Sequence, residues 1–277
     1  MSAEEEFTKV AYKKKSRKSK GLNKTVLNSL SLEDNNCISK EKSLTRILGS
    51  KEEILHSQFY SNFKTLINEV ISITNISEIK RIICLGLGPI GDNRTSQYQI
   101  GLLLNICDDF NIRNSLVHDP IFSDIECQIL EQLGLHVDLV NKEGKYEIDD
   151  TESTLVFTPH CPKQLLNNFL WKNWGKQLSS CIIIGNSFSK IVEANSKRNL
   201  QEQAEHILDI HPHVKEYEID NNFKFNDIFN DTAVHIFLKD KIDSLVSSFW
   251  LQKKEPSYSV DGVEFITNAI CSKINIH

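Results

Sequence analysis

No apolar run in this 277-residue chain approaches the roughly 20 residues that a bilayer-spanning helix requires, which predicts no transmembrane helix. The seven cysteines are scattered singly, with no Cys-x-x-Cys pair and no second Cys or His at finger-like spacing, so no zinc site is expected. The opening Met1-Ser2-Ala3-Glu4-Glu5-Glu6 is acidic and lacks the form of a secretory leader, so reduced thiols in the cytosol or nucleus are expected. No Walker loop, Ser-His-Asp order or paired-carboxylate spacing stands out, and no internal repeat is found. Catalytic residues are therefore left unassigned and enzymatic activity open.

What is present is an ordinary globular balance, 40% hydrophobic and 25% charged, long enough for one large α/β domain or two small ones. The net charge of -5 is unevenly spread: residues 1–30 carry +5 and the remainder -10. An acidic body argues against broad nucleic-acid binding by the folded part. The run Lys13-Lys14-Lys15-Ser16-Arg17-Lys18-Ser19-Lys20 reads as a nuclear import signal, a nucleic-acid arm or a solvated basic tail. Residues 1–45, rich in Lys, Ser, Asn and Glu, are expected to be a disordered basic tail, and residues 46–277 one α/β domain.

Ser50-Lys51-Glu52-Glu53 has the form of a capping box, ahead of an amphipathic helix marked by Leu55, Phe59, Phe63, Leu66 and Val70. From residue 80 strands and helices alternate. Strands are expected at Arg81 to Leu85, Ser115 to Val117, His136 to Val140, Thr154 to Phe157 and Cys181 to Ile184. Ser123-Asp124-Ile125-Glu126 again has the capping-box form, Pro162 suits a first helical turn, and Phe188 to about Ile210 reads as one helix. Val214 to Ile219 and Ala233 to Leu238 follow as two strands with no helix between them. The expected fold is a doubly wound, mostly parallel Rossmann-like sheet with an N-terminal helix and an antiparallel edge pair.

Four of these strands run directly into clusters of Gly, Pro, His, Asn or Asp, at the sheet edge where open α/β folds bind ligands. Gly86-Leu87-Gly88-Pro89-Ile90-Gly91 satisfies Gly-x-Gly-x-x-Gly between a strand and a helix, serving either a ligand or a tight turn. Pro89 removes one N–H and Asp92 adds a negative charge, so the loop suits a neutral sugar or nucleoside better than a phosphate. Asp119 stands where an acidic residue accepts ribose hydroxyls, although His118-Asp119-Pro120 also has the makings of a turn.

In Thr158-Pro159-His160-Cys161-Pro162, His160 is a candidate proton carrier or ligand. Cys161, at a helix N-terminus, is a candidate low-pKa thiol or haem ligand. Asn186 and Ser187 either cap the next helix or face the crevice. Trp171 and Trp174 read as packing, and His211-Pro212-His213 is unassigned. The candidate ligand-binding set is thus Gly86, Gly88, Gly91, Asp119, His160, Cys161, Asn186 and Ser187, arranged as one pocket for a nucleotide-type cofactor or haem.

In order along the chain, Cys84 to Gly88, Gln97 to Gln99, His118 to Phe122, Thr158 to Cys161, Leu170 to Trp174, Gly185 to Phe188 and Phe229 to Thr232 resemble the sensitivity-to-red-light-reduced (SRR) family, which includes a yeast member linked to benomyl resistance. The similarity runs from Ile82 to Leu200, with a looser extension to Phe237. Phe7-Thr8-Lys9-Val10 before the basic run is also similar, with Phe7 where the family often has Trp. The resemblance implies circadian or light-signal input, regulation of haem biosynthesis, microtubule-related processes in yeasts, and nuclear and cytoplasmic location. It supplies no reaction.

Four readings result: a regulatory protein with a ligand or partner site at the strand edge, a nucleotide-cofactor transferase of methyltransferase-like strand order, a haem-responsive switch, and a pure interaction module. Nucleic acid enters only through the basic tail.

Overall fold

A computed structural model describes residues 40–74, 76–259 and 262–270. Two helices come first, α1 (Lys40–Leu55) and α2 (Gln58–Ile73). Then follow β1 (Arg81–Leu85), α3 (Arg94–Asp109), β2 (Asn114–His118), α4 (Asp124–Gln132), β3 (His136–Val137), β4 (Thr154–Thr158) and α5 (Lys163–Lys172). Next are β5 (Cys181–Asn186), α6 (Phe188–Ala194), α7 (Lys197–Gln203), α8 (Glu205–Ile210), β6 (Lys215–Glu218), β7 (Thr232–Ile236) and α9 (Lys239–Asp243).

The strands form one seven-stranded sheet in the order β3-β2-β1-β4-β5-β7-β6. Neighbours from β3 to β5 run parallel, and β7 is antiparallel to both β5 and β6. The fold class is the expected mostly parallel, Rossmann-like one with an antiparallel edge pair, and β4 does lie beside β1.

Successive residues of the inner strands point to opposite faces of the sheet, and both faces are covered. Ile82 and Cys84 of β1, Leu155 and Phe157 of β4, and Ile182 and Ile184 of β5 join the layer that contains α1 to α4. Ile83, Leu85, Val156 and Ile183 join the layer of α5 and α8. Burial on both faces is why these strands read as unbroken apolar runs.

Several expected boundaries move. Ser50 is a buried residue inside α1, not a cap. The helix break falls at Ser57, whose hydroxyl accepts from Tyr60 N at 3.1 Å and starts α2. The stripe on α2 is Phe59, Phe63, Ile67 and Val70, while Leu55 is exposed. Residues 40–45, expected in the disordered tail, are helical. The rest of that tail, with the basic run and Phe7 to Val10, lies outside the described residues.

The third strand stops at Val137 instead of Val140, because the Asp138 carboxylate accepts from Val140 N at 2.9 Å and turns the chain. Leu139 and Val140 are left exposed. The expected long helix from Phe188 is three short ones. Ser196 caps α7 through Asn199 N, and Ala204, at φ -157°, breaks the chain before α8. The Ser123/Glu126 capping box forms as read.

Candidate functional site

Register places the strand ends together: Leu85 pairs with His118, Cys84 with Phe157, and Thr158 with Gly185. The four polar clusters therefore share one edge, but they divide between two cavities.

The first, about 180 Å³, lies over the ends of β1 and β2. Gly86, Gly88, His118 and Asp119 line it from the strand ends, Pro162 and Leu165 from the start of α5, and Glu264 to Ile266 from the C-terminal segment. Gly86 and Gly88 both have left-handed backbones, φ +71° and +72°, which favours glycine at each. Three of the loop's amides are already committed. Gly88 N donates to Asp119 Oδ2 at 2.8 Å. Ile90 N and Gly91 N donate to Glu126 Oε1 at 2.6 and 3.1 Å. Gly91 is thus part of the loop's anchorage; the carbonyl of Gly91 accepts from Gln97 Nε2 at 2.7 Å and from Ser43 Oγ at 3.3 Å. Asp92 turns away to pair with Arg46.

A phosphate would compete with two carboxylates for these amides, so the cradle geometry of a dinucleotide loop is blocked. Asp119 Oδ1 also accepts from Ile121 N at 3.1 Å. Burial holds the Asp119 carboxyl above the usual carboxylate range, more than the Gly88 and Ile121 amides lower it. Each of its oxygens keeps a further lone pair for a ligand hydroxyl.

Cys161 does not behave as its position on the chain suggested. Its thiol lies against Gly86 and donates to Leu85 O at 3.1 Å. Burial, reinforced by the Asp119 carboxylate, pushes the thiol well up, away from the lowered pKa expected of a reactive thiolate or haem ligand. Its role is to fill the space above the first glycine.

The second cavity, about 610 Å³ and open, collects His160, Asn186, Ser187, Lys190, Asn230 and Asp231. His160 has a left-handed backbone, φ +57°, held because its N–H donates to Asn186 Oδ1 at 3.0 Å. The amide of Asn186 donates in turn to Cys161 O at 2.8 Å, and His160 Nε2 contacts Asn230 O at 3.2 Å. Asn186 therefore holds the Pro-His-Cys turn and does not cap a helix.

Ser187 does cap, accepting from Lys190 N at 3.0 Å, while its hydroxyl donates to Glu216 Oε1 at 2.5 Å. Glu216 reaches His235 Nε2 at 3.1 Å, an edge-strand network that sequence reading did not find. His118 and Glu126 were also missed as site residues. One was read as part of a turn and the other as a helix cap.

Trp174 packs against His206, Phe249 and Trp250, and Trp171 Nε1 donates to Lys253 O at 3.0 Å, in keeping with a packing role. His211 Nε2 contacts Ser189 Oγ at 3.2 Å. Among the described residues no group of three or more His, Cys, Asp or Glu is placed to hold a metal ion.

Relatives bear on this arrangement. An SRR1-like protein of Drosophila melanogaster is 31% identical over 174 residues, covering 62% of this chain and 60% of the relative. The SRR1-like protein of Mus musculus is 35% identical over 133 residues, 47% of this chain and 53% of the relative. Protein SENSITIVITY TO RED LIGHT REDUCED 1 of Arabidopsis thaliana is 29% identical over 153 residues, 52% of this chain and 55% of the relative. The chain thus spans between half and two thirds of the length of the curated relatives it matches. Among solved structures, the crystal structure of MtNAS in complex with MTA and tNA overlays 72% of both chains at 12% identity with a TM-score of 0.36, too distant to carry functional meaning. The SRR1 domain model matches residues 52–236, more than half of the sequence and the whole span from α2 to β7. The chain belongs to the SRR1 domain family.

Proposed function

We propose that this protein is a regulatory one that senses a small ligand in the cavity over β1 and β2. Its cellular setting is light or circadian input, regulation of haem biosynthesis and microtubule-related processes, in cytoplasm and nucleus. The Arabidopsis relative's name supports the light link. The haem link is to regulation and not to ligation by Cys161, whose thiol is buried and donates to Leu85 O. The observation that carries the ligand reading is the cavity itself: a mostly apolar hollow at the carboxyl ends of β1 and β2, beside the point where strand order reverses between β1 and β4.

The test is thermal. The midpoint is measured alone and with S-adenosylmethionine, NAD, ATP or haem, in wild type and Asp119→Ala. A ligand of the folded state at 100 times its Kd adds about 2.7 kcal/mol of stability. S-adenosylmethionine, which carries no phosphate, is expected to raise the midpoint in wild type only, and NAD and ATP are not. No shift with any of the four would overturn the ligand reading in favour of partner capture. Nuclear location is checked separately: deleting Lys13 to Lys20 should leave the protein in the cytoplasm.

A second reading, a nucleotide-cofactor transferase, is favoured by one observation. β7 inserts antiparallel between β5 and β6, the arrangement expected of a methyltransferase-like sheet. Turnover of a methyl donor, beyond binding of it, would decide for this reading.

A further inference from the structure

His118 closes β2 with 6% of its surface exposed and lines the cavity over β1 and β2. Its Nδ1 lies 2.7 Å from Asp138 O. A carbonyl oxygen only accepts, so Nδ1 carries a proton, and in that tautomer Nε2 presents a lone pair. That Nε2 is fully buried and has no hydrogen-bond partner among the described residues. Asp138 is itself fixed, its N–H donating to Val117 O at 3.0 Å, so the ring cannot turn to satisfy both nitrogens without losing this bond. A buried acceptor without a donor is unfavourable and marks a place where a donor from outside would gain most.

The rest of the cavity narrows the ligand's chemistry. Its walls are apolar, with Ile121, Leu165, Phe265 and Ile266 among them. Its charged side chains are the carboxylates Asp119 and Glu264, and no Lys or Arg is among its described lining residues. Glu264 is paired with Lys163 at 3.1 Å, so among the described residues no free cation is left there for a phosphate. About 180 Å³ is below the roughly 300 Å³ at which pockets for drug-sized ligands begin, so the enclosed part takes one ring system. The ring's amino group therefore faces His118 and the hydroxyls face Asp119, whose residue is the less buried of the two.

Resting on the small-ligand reading of this cavity, we propose that it takes a phosphate-free nucleoside, with the exocyclic amine of its base donating to His118 Nε2 and sugar hydroxyls donating to Asp119. His118 is then the residue that sets specificity, because a site built around a lone pair rejects an analogue that brings no donor.

The probes are adenosine, purine riboside, which lacks the amine without added bulk, and adenosine monophosphate. Binding is followed by calorimetry on the full chain and by the side-chain nitrogen resonances of ¹⁵N-histidine-labelled protein. Adenosine is expected to move the His118 Nε2 resonance and to bind at least about 10-fold more tightly than purine riboside. The monophosphate is expected to bind at least about 10-fold more weakly than adenosine, and His118→Phe to erase the difference between the two nucleosides.

The comparison of probes in wild type stands even if His118→Phe does not fold. Equal binding of adenosine and purine riboside, an unmoved His118 resonance, no adenosine binding, or a monophosphate as tight as adenosine would each overturn the assignment. If S-adenosylmethionine, NAD, ATP or haem still binds in an Asp119-dependent way, the ligand site survives and only the nucleoside assignment falls. If none does, both fall.

Discussion

At the scale of single residues, Gly86 and Gly88 share a left-handed backbone but not their surroundings. A Cβ on Gly86 would run into the Cys161 sulfur, whereas one on Gly88 would meet only Ser96 Oγ at 3.5 Å, an ordinary contact. A left-handed non-glycine residue costs about 1–2 kcal/mol. Gly88→Ala is therefore expected to lose about that much in urea denaturation, and Gly86→Ala clearly more. Equal losses would show that the sulfur yields freely.

The glycines and Asp119 were legible because backbone need and strand-end position are written in sequence. Cys161 was misread because its local context, a helix start, is visible in sequence while its burial under Gly86 is not. His118 was half-legible: its place at a strand end could be read, but not the carbonyl that fixes its tautomer.

At the scale of elements, His206 and Glu216 tie helices and strands to pH. His206, in α8, stands edge-on to Trp174 with ring centroids 4.9 Å apart, and neither ring nitrogen has a partner among the described residues. Burial lowers its pKa from 6.5 to about 4, with Glu205, Asp209 and Lys253 nearby. As pH falls through that window the unfolded chain takes up a proton that the folded chain refuses. Stability is therefore full above about 6.5 and declines toward 4, by up to ~3 kcal/mol.

Glu216 acts in a lower window. Burial pushes its carboxyl up, but the His235 ring, the Ser187 hydroxyl and the Ser189 amide outweigh it and hold it at about 2. Its contribution is present above the ordinary value of 4.5 and is lost between there and 2. Denaturation curves from pH 8 to 3 should show the first decline, and His206→Phe should flatten it while leaving the acid limb intact. A decline unchanged in that variant would assign it elsewhere.

Element boundaries were the least legible level. The breaks at Ser57, Asp138 and Ala204 depend on one side-chain cap, one Asx turn and one backbone dihedral, set against otherwise continuous apolar patterns.

At the scale of the molecule, the mostly parallel sheet with an antiparallel edge pair could be read in advance, because alternating strands and right-handed crossovers leave few arrangements. The division of the crevice into two cavities could not. It depends on Asn186 holding the His160 turn and on a C-terminal segment beyond the residues matched by the family model. That segment runs along α5: Trp174 Nε1 donates to Phe249 O at 2.9 Å, Asn167 Nδ2 to Tyr258 Oη at 3.0 Å, and Gln164 Nε2 to Gly262 O at 2.7 Å. Gln164, Asn167 and Asn168 are all buried. A chain ending at Lys239 strips partners from these amides and is expected to lose at least ~3 kcal/mol, with tryptophan fluorescence shifted to longer wavelength. A truncated chain of unchanged stability would show the segment to be dispensable.

Glu126 does two jobs with one side chain. One oxygen closes the capping box on Ser123, and the other grips Ile90 N and Gly91 N. A descendant of this protein could not gain an affinity for phosphorylated ligands by losing that carboxylate alone, because the same change would loosen the start of α4. Charge selectivity and helix initiation are coupled through a single carboxylate, so any evolutionary or engineered route to a nucleotide site in this scaffold has first to supply α4 with another anchor.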